Sequence, residues 1–280
     1  QHTPDLQPLA LEYRDYCSYL AARQLAPQLL AYFDRALRTR PLFESSNETN
    51  QPESANRVVR ASIKLDLQTL QNIEQWAQAN QFKMHEVYLA AMSEALYRED
   101  GQSEVAIGMP VTGRADAAII DLIGGFYSVL PWILPRPEPR AFKEYVHSMK
   151  SALSDFYQHE QCSLGELWDR NQQNGLGSPE ISVSFAFQDV RSRPTALFGQ
   201  TMSQLDIDRS RSEYPLEHWV RVEADGLLLV LDYQPGVVAG ERMEKLMRDI
   251  ADRLRSPEAE IQITTPRSGV EKTFWRRLFG

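Results

Sequence analysis

Histidine and cysteine are the side chains of this sequence that could act as a base, a nucleophile or a metal ligand near neutral pH. Five histidines are present: His2, His85, His147, His159 and His218. No two of them are neighbours in the sequence, and no Cys or His spacing typical of a zinc site is found. The sequence therefore predicts no metal site and no self-contained catalytic centre.

The two cysteines, Cys17 and Cys162, lie far apart in the sequence. Isolated thiols are typical of a reducing compartment, so we expect two buried or half-buried thiols and a cytoplasmic protein. The sequence also has no phosphate-binding P-loop, no dinucleotide glycine fingerprint and no Gly-x-Ser-x-Gly motif. These absences predict that no nucleotide cofactor is bound directly.

Length and composition limit the classes of protein to consider. The chain has 280 residues, of which 42% are hydrophobic, and a formal net charge of -8. It can form one large domain or two smaller ones with a real core. The negative charge argues against nucleic acid as a partner, because phosphate binding needs clustered Lys and Arg. No apolar run reaches the roughly 18–20 residues of a membrane helix, so no membrane span is predicted.

The spacing of apolar residues predicts alternating helices and strands. Helical spacing is found at 9–37 with a break at Pro27, around Leu70, Ile73 and Trp76, and at 84–98, 142–157 and 243–254. Strand-type alternation is found at 61–67, 104–110 and 180–187, and a hairpin is predicted around Asp225-Gly226. Asp66 can cap the helix that follows it. The predicted fold class is therefore α/β, with a mixed β-sheet flanked by helices.

Three segments have no apolar periodicity. Residues 41–57 are polar and contain Ser, Asn and Pro, which predicts an exposed loop. Residues 188–213 are long for a simple connection, which favours a functional loop or a crossover to another unit. The tail at 267–280 holds Phe274, Trp275, Arg276 and Arg277. This tail is either a frayed terminus or an interface contact.

The apolar stretch IGMPVTGRADAAIIDLIGGFYSVLPWIL, residues 107–134, contains many residues with special backbone properties. Glycine permits close approach of the backbone or a positive φ, which is the expectation for Gly108, Gly113, Gly124 and Gly125. Pro110 and Pro131 are expected to fix turns. Arg114 is expected either to be a structural arginine that pairs with an acid or to contact substrate. A pair of buried strands with turns would also need these residues.

Five motifs follow one another along the chain: YRDYCSY (13–19), DGQSEVAIGMPVTGR (100–114), LIGGFYSVLPWIL (122–134), HEQCSLGEL (159–167) and SPEISVSFAFQDV (178–190). This ordered set resembles the C-terminal half of the condensation domains of nonribosomal peptide synthetases, which have a chloramphenicol-acetyltransferase-like fold. The fourth motif corresponds to His-Gln-x-x-Pro-Phe-Glu in that family. The resemblance covers residues 13–254 and implies that residues 1–266 form the C-terminal lobe of such a domain.

The sequence departs from the family motifs at several positions. Ser128 and Val129 replace Asn-Thr, Ile133 replaces Arg, and residues 163–165 replace Pro-Phe-Glu. These departures leave the donor, the acceptor and the stereochemical subtype open. The catalytic motif of the family, His-His-x-x-x-Asp-Gly, is absent from the 280 residues. The resemblance implies that this motif lies in an N-terminal lobe, so no catalytic residue is expected in this chain.

The resemblance also implies which residues form the site, because the stretch 107–134 lies along the cleft between the lobes in that family. The candidates for the cleft or substrate tunnel are Arg114, Gly124, Gly125, Phe126, Ser128 and Trp132. The residues expected to support the motifs structurally are Tyr13, Asp15, Tyr16, Gly108, Pro110, Gly113 and His159. Residues 188–213 would form the crossover or latch segment that contacts the first lobe.

The implied reaction is amide formation. The amine of an acceptor on one carrier protein attacks an acyl thioester on the 4'-phosphopantetheine arm of a donor carrier protein. The implied partners are these carrier proteins, the N-terminal lobe and a neighbouring adenylation domain. The chain alone is expected to be an inactive half of an acyltransferase.

Two other functions fit the same sequence. The first is an acyltransferase of this fold that uses coenzyme A thioesters. The second is a non-catalytic lobe that docks carrier proteins or acts as a scaffold. The sequence encoded upstream would separate them, because both enzymes need the histidine motif and only the synthetase has an adenylation or carrier domain beside it.

Overall fold

The computed structural model describes residues 11–43, 57–100, 104–114, 116–138, 140–175, 181–194, 196–202 and 210–261. The tail predicted at 267–280 lies outside these residues, as does most of the loop predicted at 41–57. Whether the tail is a frayed terminus or an interface contact therefore stays a prediction.

The described residues form helices and strands in mixed order along the chain. The helices are α1 (Tyr13–Ala22), α2 (Pro27–Tyr32), α3 (Asp34–Arg38), α4 (Leu67–Ala79), α5 (Met84–Asp100), α6 (Phe142–Tyr157), α7 (Leu164–Gln173) and α8 (Gly240–Arg255). The strands are β1 (Val59–Asp66), β2 (Ala106–Val111), β3 (Ser128–Ile133), β4 (Val183–Asp189), β5 (Ala196–Leu197), β6 (Gln200–Thr201), β7 (Leu216–Glu223) and β8 (Gly226–Tyr233). Pro27 opens α2, at a helix position where its missing N–H costs nothing.

Six strands form the main sheet in the order β1-β8-β7-β4-β2-β3. β4 is parallel to its neighbours β2 and β7, and the other pairs are antiparallel, so the predicted mixed sheet is confirmed. The predicted hairpin consists of β7 and β8, with Glu223 opposite Gly226. A Cβ on Gly226 would lie 2.1 Å from Leu65 O of β1, so this turn needs glycine.

The predicted apolar helix faces form much of the core. They include Leu70, Ile73 and Trp76 of α4, Phe142, Tyr145, Val146, Met149, Leu153 and Phe156 of α6, and Met243, Leu246, Met247, Ile250 and Leu254 of α8. Asp66 caps α4 by accepting a hydrogen bond from Thr69 N at 2.8 Å. Leu67, predicted in the preceding strand, instead opens α4 and is exposed. In the described part of the chain, no helix could cross a membrane.

The two prolines expected to fix turns lie inside strands instead. Pro110 of β2 is opposite Val129, and Pro131 of β3 is opposite Gly108. β3 is an edge strand of the described sheet, and β2 pairs with β4 only at Gly108. Strands with an unpaired side can accommodate proline, because the missing N–H leaves no ladder partner unsatisfied. The turn prediction was wrong because an edge position cannot be recognised from one strand alone.

Two residues in the first part of the loop predicted as exposed at 41–57 are buried, so this part was predicted wrongly. Leu42 and Phe43 are 7% and 3% exposed. Leu42 N donates a hydrogen bond to Ser182 Oγ at 2.9 Å, and the Arg242 guanidinium lies 4.8 Å from the centre of the Phe43 ring. Because the segment contains only these two large apolar residues beside many polar ones, its composition did not indicate that its first part is buried.

The crossover segment predicted at 188–213 joins the parallel strands β4 and β7. β4 continues to Asp189, so the segment begins inside the sheet. Its described part contains a small hairpin of β5 and β6, with Phe198 at the turn, 95% exposed. Residues 203–209 lie outside the described residues, and contact with another lobe stays a prediction.

A buried histidine connects β7 to α5. His218 is 1% exposed, and its ring contacts the Tyr88 hydroxyl through Nε2. Nδ1 lies 2.9 Å from Val230 O, a distance at which the neutral ring donates from Nδ1 and accepts at Nε2. Burial lowers the pKa of His218 to about 4, although the hydrogen bond to Val230 O raises it. The side chain therefore stays neutral, and both of its ring nitrogens have hydrogen-bond partners inside the fold.

Acid should destabilise the fold in part through His218. The unfolded chain binds a proton there near the ordinary pKa of 6.5, but the folded chain does so only near 4. Between these pH values the unfolded state holds more protons, so stability falls as the pH falls from 6.5 to 4. A shift of this size corresponds to about 3 kcal/mol. Urea unfolding of His218→Gln should lack this part of the pH dependence, and an unchanged dependence would contradict the assignment.

Candidate substrate cleft

A cleft of about 820 Å³ opens between α1, the connection from β2 to β3 and the turn between α6 and α7. It is lined by residues from four of the five sequence motifs. They include Asp15, Tyr16 and Tyr19 of the first motif, Gly113 of the second, Gly125, Phe126 and Ser128 of the third, and Glu160, Cys162 and Gly165 of the fourth. Segments that are far apart in sequence are thus brought together at one cavity.

Helix α1 forms one wall of the cleft although none of its residues is fully buried. The Tyr13 hydroxyl donates a hydrogen bond to Gly125 O at 2.9 Å. The rings of Tyr13 and Tyr16 lie 5.1 and 4.7 Å from the ring of Phe126. Asp15 completes a capping box at the start of the helix. The predicted motif residues therefore hold α1 in place.

An ion pair attaches the other end of α1 to the start of α7. Arg23 donates to the Glu166 carboxylate through Nε at 3.0 Å and through Nη2 at 2.8 Å, and to Gln161 O at 2.6 Å. Burial raises the pKa of Glu166, but the hydrogen bonds from Arg23 and Ser163 outweigh it and keep this pKa below its usual value. Both charges are therefore used to hold the two helices together.

Ser128 links the start of β3 to the first turn of α7. Its Oγ accepts a hydrogen bond from Leu164 N at 3.3 Å. Ser163 caps the same helix, and its N–H donates to the Glu166 carboxylate at 2.8 Å. Gly165 follows without a side chain, and a Cβ there would meet only Ser163 Oγ, at 3.9 Å. The cleft wall therefore has room for a side chain at Gly165.

Arg114 stabilises the loop behind the cleft. Its guanidinium lies 4.1 Å from the centre of the Phe126 ring. Nη1 donates to Ile119 O at 2.7 Å and to Ile120 O at 3.1 Å. Phe126 thus contacts the two tyrosines of α1 and this arginine. These contacts support the structural interpretation of Arg114, while a pairing with an acid of another lobe stays a prediction.

The glycines of this loop serve different purposes. Gly113 has φ +64°, and a Cβ there would lie 2.1 Å from Phe126 O. Gly124 is not at positive φ, so that part of its prediction was wrong. Its Cβ would instead lie 2.2 Å from Cδ2 of Tyr13, so close packing of α1 is what requires glycine. At Gly125 a Cβ would make only an ordinary contact, 3.5 Å from the Tyr13 hydroxyl.

Replacing Gly124 by valine should displace α1 from the cleft. The new side chain occupies the place of the Tyr13 ring, so its ring contact with Phe126 and its hydrogen bond to Gly125 O are lost, about 2 kcal/mol together. Limited proteolysis should therefore cut the α1 region faster in this variant. Gly125→Ala is the matched control and should be cut at the wild-type rate. Equal rates for wild type and Gly124→Val would contradict the packing described here.

Several predicted site residues lie away from the cleft. Trp132 is 3% exposed and packs in the core, 5.6 Å from the ring of Phe156. His159 stacks on Tyr32 with ring centres 3.9 Å apart. Gly108 lies in β2, where its backbone is packed closely, and Pro110 lies in the same strand. Trp132 is therefore a core residue.

Among the described residues that line the cleft, the side chains able to accept a proton near neutral pH are carboxylates. None of the described histidines lines it. Cys162 does, but it is 3% exposed, and burial together with Glu166 raises its pKa to about 11, so the thiol stays protonated. Cys17 is exposed, contrary to its prediction. The described residues also contain no group of three side chains able to hold a metal ion.

Some residues of the cleft were not predicted. Arg23 and Glu166 are separated by 143 positions, and nothing in the local pattern indicates that they pair. The spacing Ser163-x-x-Glu166 is a capping-box signal that could have located the start of α7. Tyr19 and Glu160 belong to recognised motifs, but only the fold shows that they line the same cavity.

A family model described as the condensation domain matches residues 2–264. The chain belongs to the condensation-domain family. Among the curated relatives of this condensation-domain chain, bacitracin synthase 1 of Bacillus licheniformis is 24% identical over 259 residues. A component of the linear gramicidin synthase of Brevibacillus parabrevis is 23% identical over 267 residues. The matches cover 89% and 91% of this chain but only 5% of each of these relatives.

Solved structures have the same fold. The condensation domain from the monacolin K polyketide synthase MokA has a TM-score of 0.70 and 18% identity, over 89% of this chain and 61% of that one. The X-domain from teicoplanin biosynthesis has a TM-score of 0.71 and 16% identity, over 93% of this chain and 63% of that one. A complex of that X-domain with OxyB matches with a TM-score of 0.69. The predicted fold class, α/β with a mixed sheet flanked by helices, is confirmed, and it is the chloramphenicol-acetyltransferase-like fold of these condensation domains.

Proposed function

We propose that this chain is the C-terminal lobe of a nonribosomal peptide synthetase condensation domain that forms an amide between two carrier-bound thioesters. The supporting observation is that four of the ordered sequence motifs meet at one cleft in a chain of this family. The cleft is open and has aromatic walls formed by Tyr16, Tyr19 and Phe126. Such a shape suits acyl groups that arrive on long flexible arms.

The proposed reaction needs two bound substrates and one base. The acceptor amine attacks the thioester carbonyl carbon, the C–N bond forms, the C–S bond breaks, and the pantetheine thiol leaves with the proton that the amine gives up. The base is a histidine of the His-His-x-x-x-Asp-Gly motif in the N-terminal lobe. This chain supplies the opposite wall, held by Arg23, Glu166 and Ser128. Holding two reactants together can lower the barrier by several kcal/mol.

The proposed partners are the N-terminal lobe, the donor and acceptor carrier proteins and a neighbouring adenylation domain. The substrates are carried on their 4'-phosphopantetheine arms. Exposed apolar side chains beside the cleft support an interface with the N-terminal lobe. Tyr19, Ile123 and Tyr127 are 60%, 94% and 63% exposed. The segment 188–213, with its exposed Phe198, is proposed to cross to that lobe.

A recruiting lobe without catalysis is the second candidate function. It is favoured by the similarity to the X-domain from teicoplanin biosynthesis, of which a complex with OxyB has been solved. In this role the chain would bind a protein partner, and a two-lobed protein containing it would form no amide.

The encoded sequence next to this chain and an assay of amide formation test these proposals. A His-His-x-x-x-Asp-Gly motif in an adjoining lobe, and amide formation from two loaded carrier proteins by the joined lobes, would support the condensation activity. Product formed from coenzyme A thioesters without carrier proteins would favour an acyltransferase for soluble thioesters. A folded two-lobed protein that forms no amide would favour the recruiting role.

A further inference from the structure

One carboxylate at the cleft has no counterion in the described part of the chain. Glu160 lines the cleft in the turn between α6 and α7. Its backbone N–H bonds to Tyr157 O, and its carboxylate forms no ion pair or hydrogen bond with a described residue. Burial raises the pKa of this carboxyl group. A carboxylate in this situation has lost part of its hydration without gaining a partner.

The other charged groups of the cleft do not compensate this loss. Arg23 is the only cation among the described residues that line the cleft, and it is bonded to Glu166 and Gln161 O. Asp15 and Asp116 also line the cleft. Asp15 accepts a hydrogen bond from Glu12 N at the start of α1, and Asp116 accepts one from Ala118 N. Among the described residues, the cleft lining therefore has an excess of negative charge and offers no free cation to an anionic ligand.

We infer that Glu160 selects an amino group, bound as ammonium, on the substrate that occupies this cleft, and that it disfavours a carboxylate there. The inference rests on the proposed function, in which this substrate is the carrier-bound acceptor with its free amine. An ammonium beside the Glu160 carboxylate gains Coulomb attraction. A carboxylate at the same place would be repelled. Glu160 is a specificity residue in this scheme and is given no role as a base.

Binding of three probes to the 280-residue chain tests the inference. The probes are amides of aminopantetheine with L-phenylalanine (ammonium), N-acetyl-L-phenylalanine (neutral) and benzylsuccinic acid (carboxylate). By isothermal titration calorimetry, the phenylalanyl probe should bind about 10-fold more tightly than the acetylated one, and the benzylsuccinyl probe should bind most weakly. In Glu160→Gln, the Kd values of the three probes should agree to within about 2-fold. The family motif has Gln at this position, so this variant is expected to fold.

The matched control is Glu144→Gln, which removes one charge from the exposed first turn of α6. It should keep the roughly 10-fold preference. A preference that survives Glu160→Gln, or a wild-type chain with no preference or no binding, would overturn the inference. The assay needs no catalysis, so failure to form amide in the joined lobes leaves it unaffected. A further ligand, phenylalaninamide, lacks the pantetheine arm. If it bound as tightly as the phenylalanyl probe and with the same dependence on Glu160, the selectivity for an amino group would stand. The proposal that the substrate is bound to a carrier protein would then lose support.

Discussion

Replacing Gly113 by alanine should destabilise the fold by about 3 kcal/mol. Two separate costs contribute. Gly113 has φ +64°, where an L side chain is strained, and a Cβ would lie 2.1 Å from Phe126 O. That oxygen belongs to the backbone, so it cannot move away by a side-chain rotation. The backbone at Phe126 would therefore have to move, and the ring of Phe126 packs against Tyr16 of α1 and against Arg114.

The matched control for this substitution is Gly175→Ala. Gly175 has φ +68°, but no atom lies within 4 Å of the position of its Cβ. It should therefore show the conformational cost alone, about 1 kcal/mol. In urea unfolding, the difference between the two losses of stability gives the cost of the contact between a Cβ at position 113 and Phe126 O. Equal losses of stability would show that the loop does not pack as described.

The main elements could be predicted because their signals are local. The alternation of Ala61, Ile63 and Leu65 identifies β1, and the apolar stripe of α8 identifies a surface helix. The order of the strands could not be predicted in the same way. β4 lies between β2 and β7 and is parallel to both, an arrangement that depends on contacts between distant segments. The pairing of β7 with β8 was the exception, because the Asp225-Gly226 turn between them predicts a hairpin.

The cleft was predicted less completely than the sheet. The motifs indicated Tyr16, Phe126 and Ser128, which do line the cavity. Trp132 was placed with them because an apolar run does not reveal which of its residues face the core. Arg23 was missed because its partner Glu166 is distant in sequence. The role of a residue that acts through a long-range contact can be recognised only once the fold is known.

The chain by itself should form no amide from carrier-bound substrates. General acid–base catalysis contributes about 10²–10⁴-fold to such reactions, and none of the described histidines lines the cleft to supply it. His218 is buried and has a pKa of about 4, and the Cys162 thiol has a pKa of about 11. The chain alone also presents only one wall of the proposed cleft, so the second substrate is not positioned. We expect product at the uncatalysed level.

The most direct measurement is the rate of amide formation from two loaded carrier proteins, compared between the chain alone and the same chain joined to a lobe with the His-His-x-x-x-Asp-Gly motif. The joined protein should exceed the chain alone by at least about 10³-fold. Alanine at the second histidine of the motif is the control and should remove most of this gain. Product formed by the chain alone at the rate of the joined protein would place the chemistry in this lobe and contradict the account.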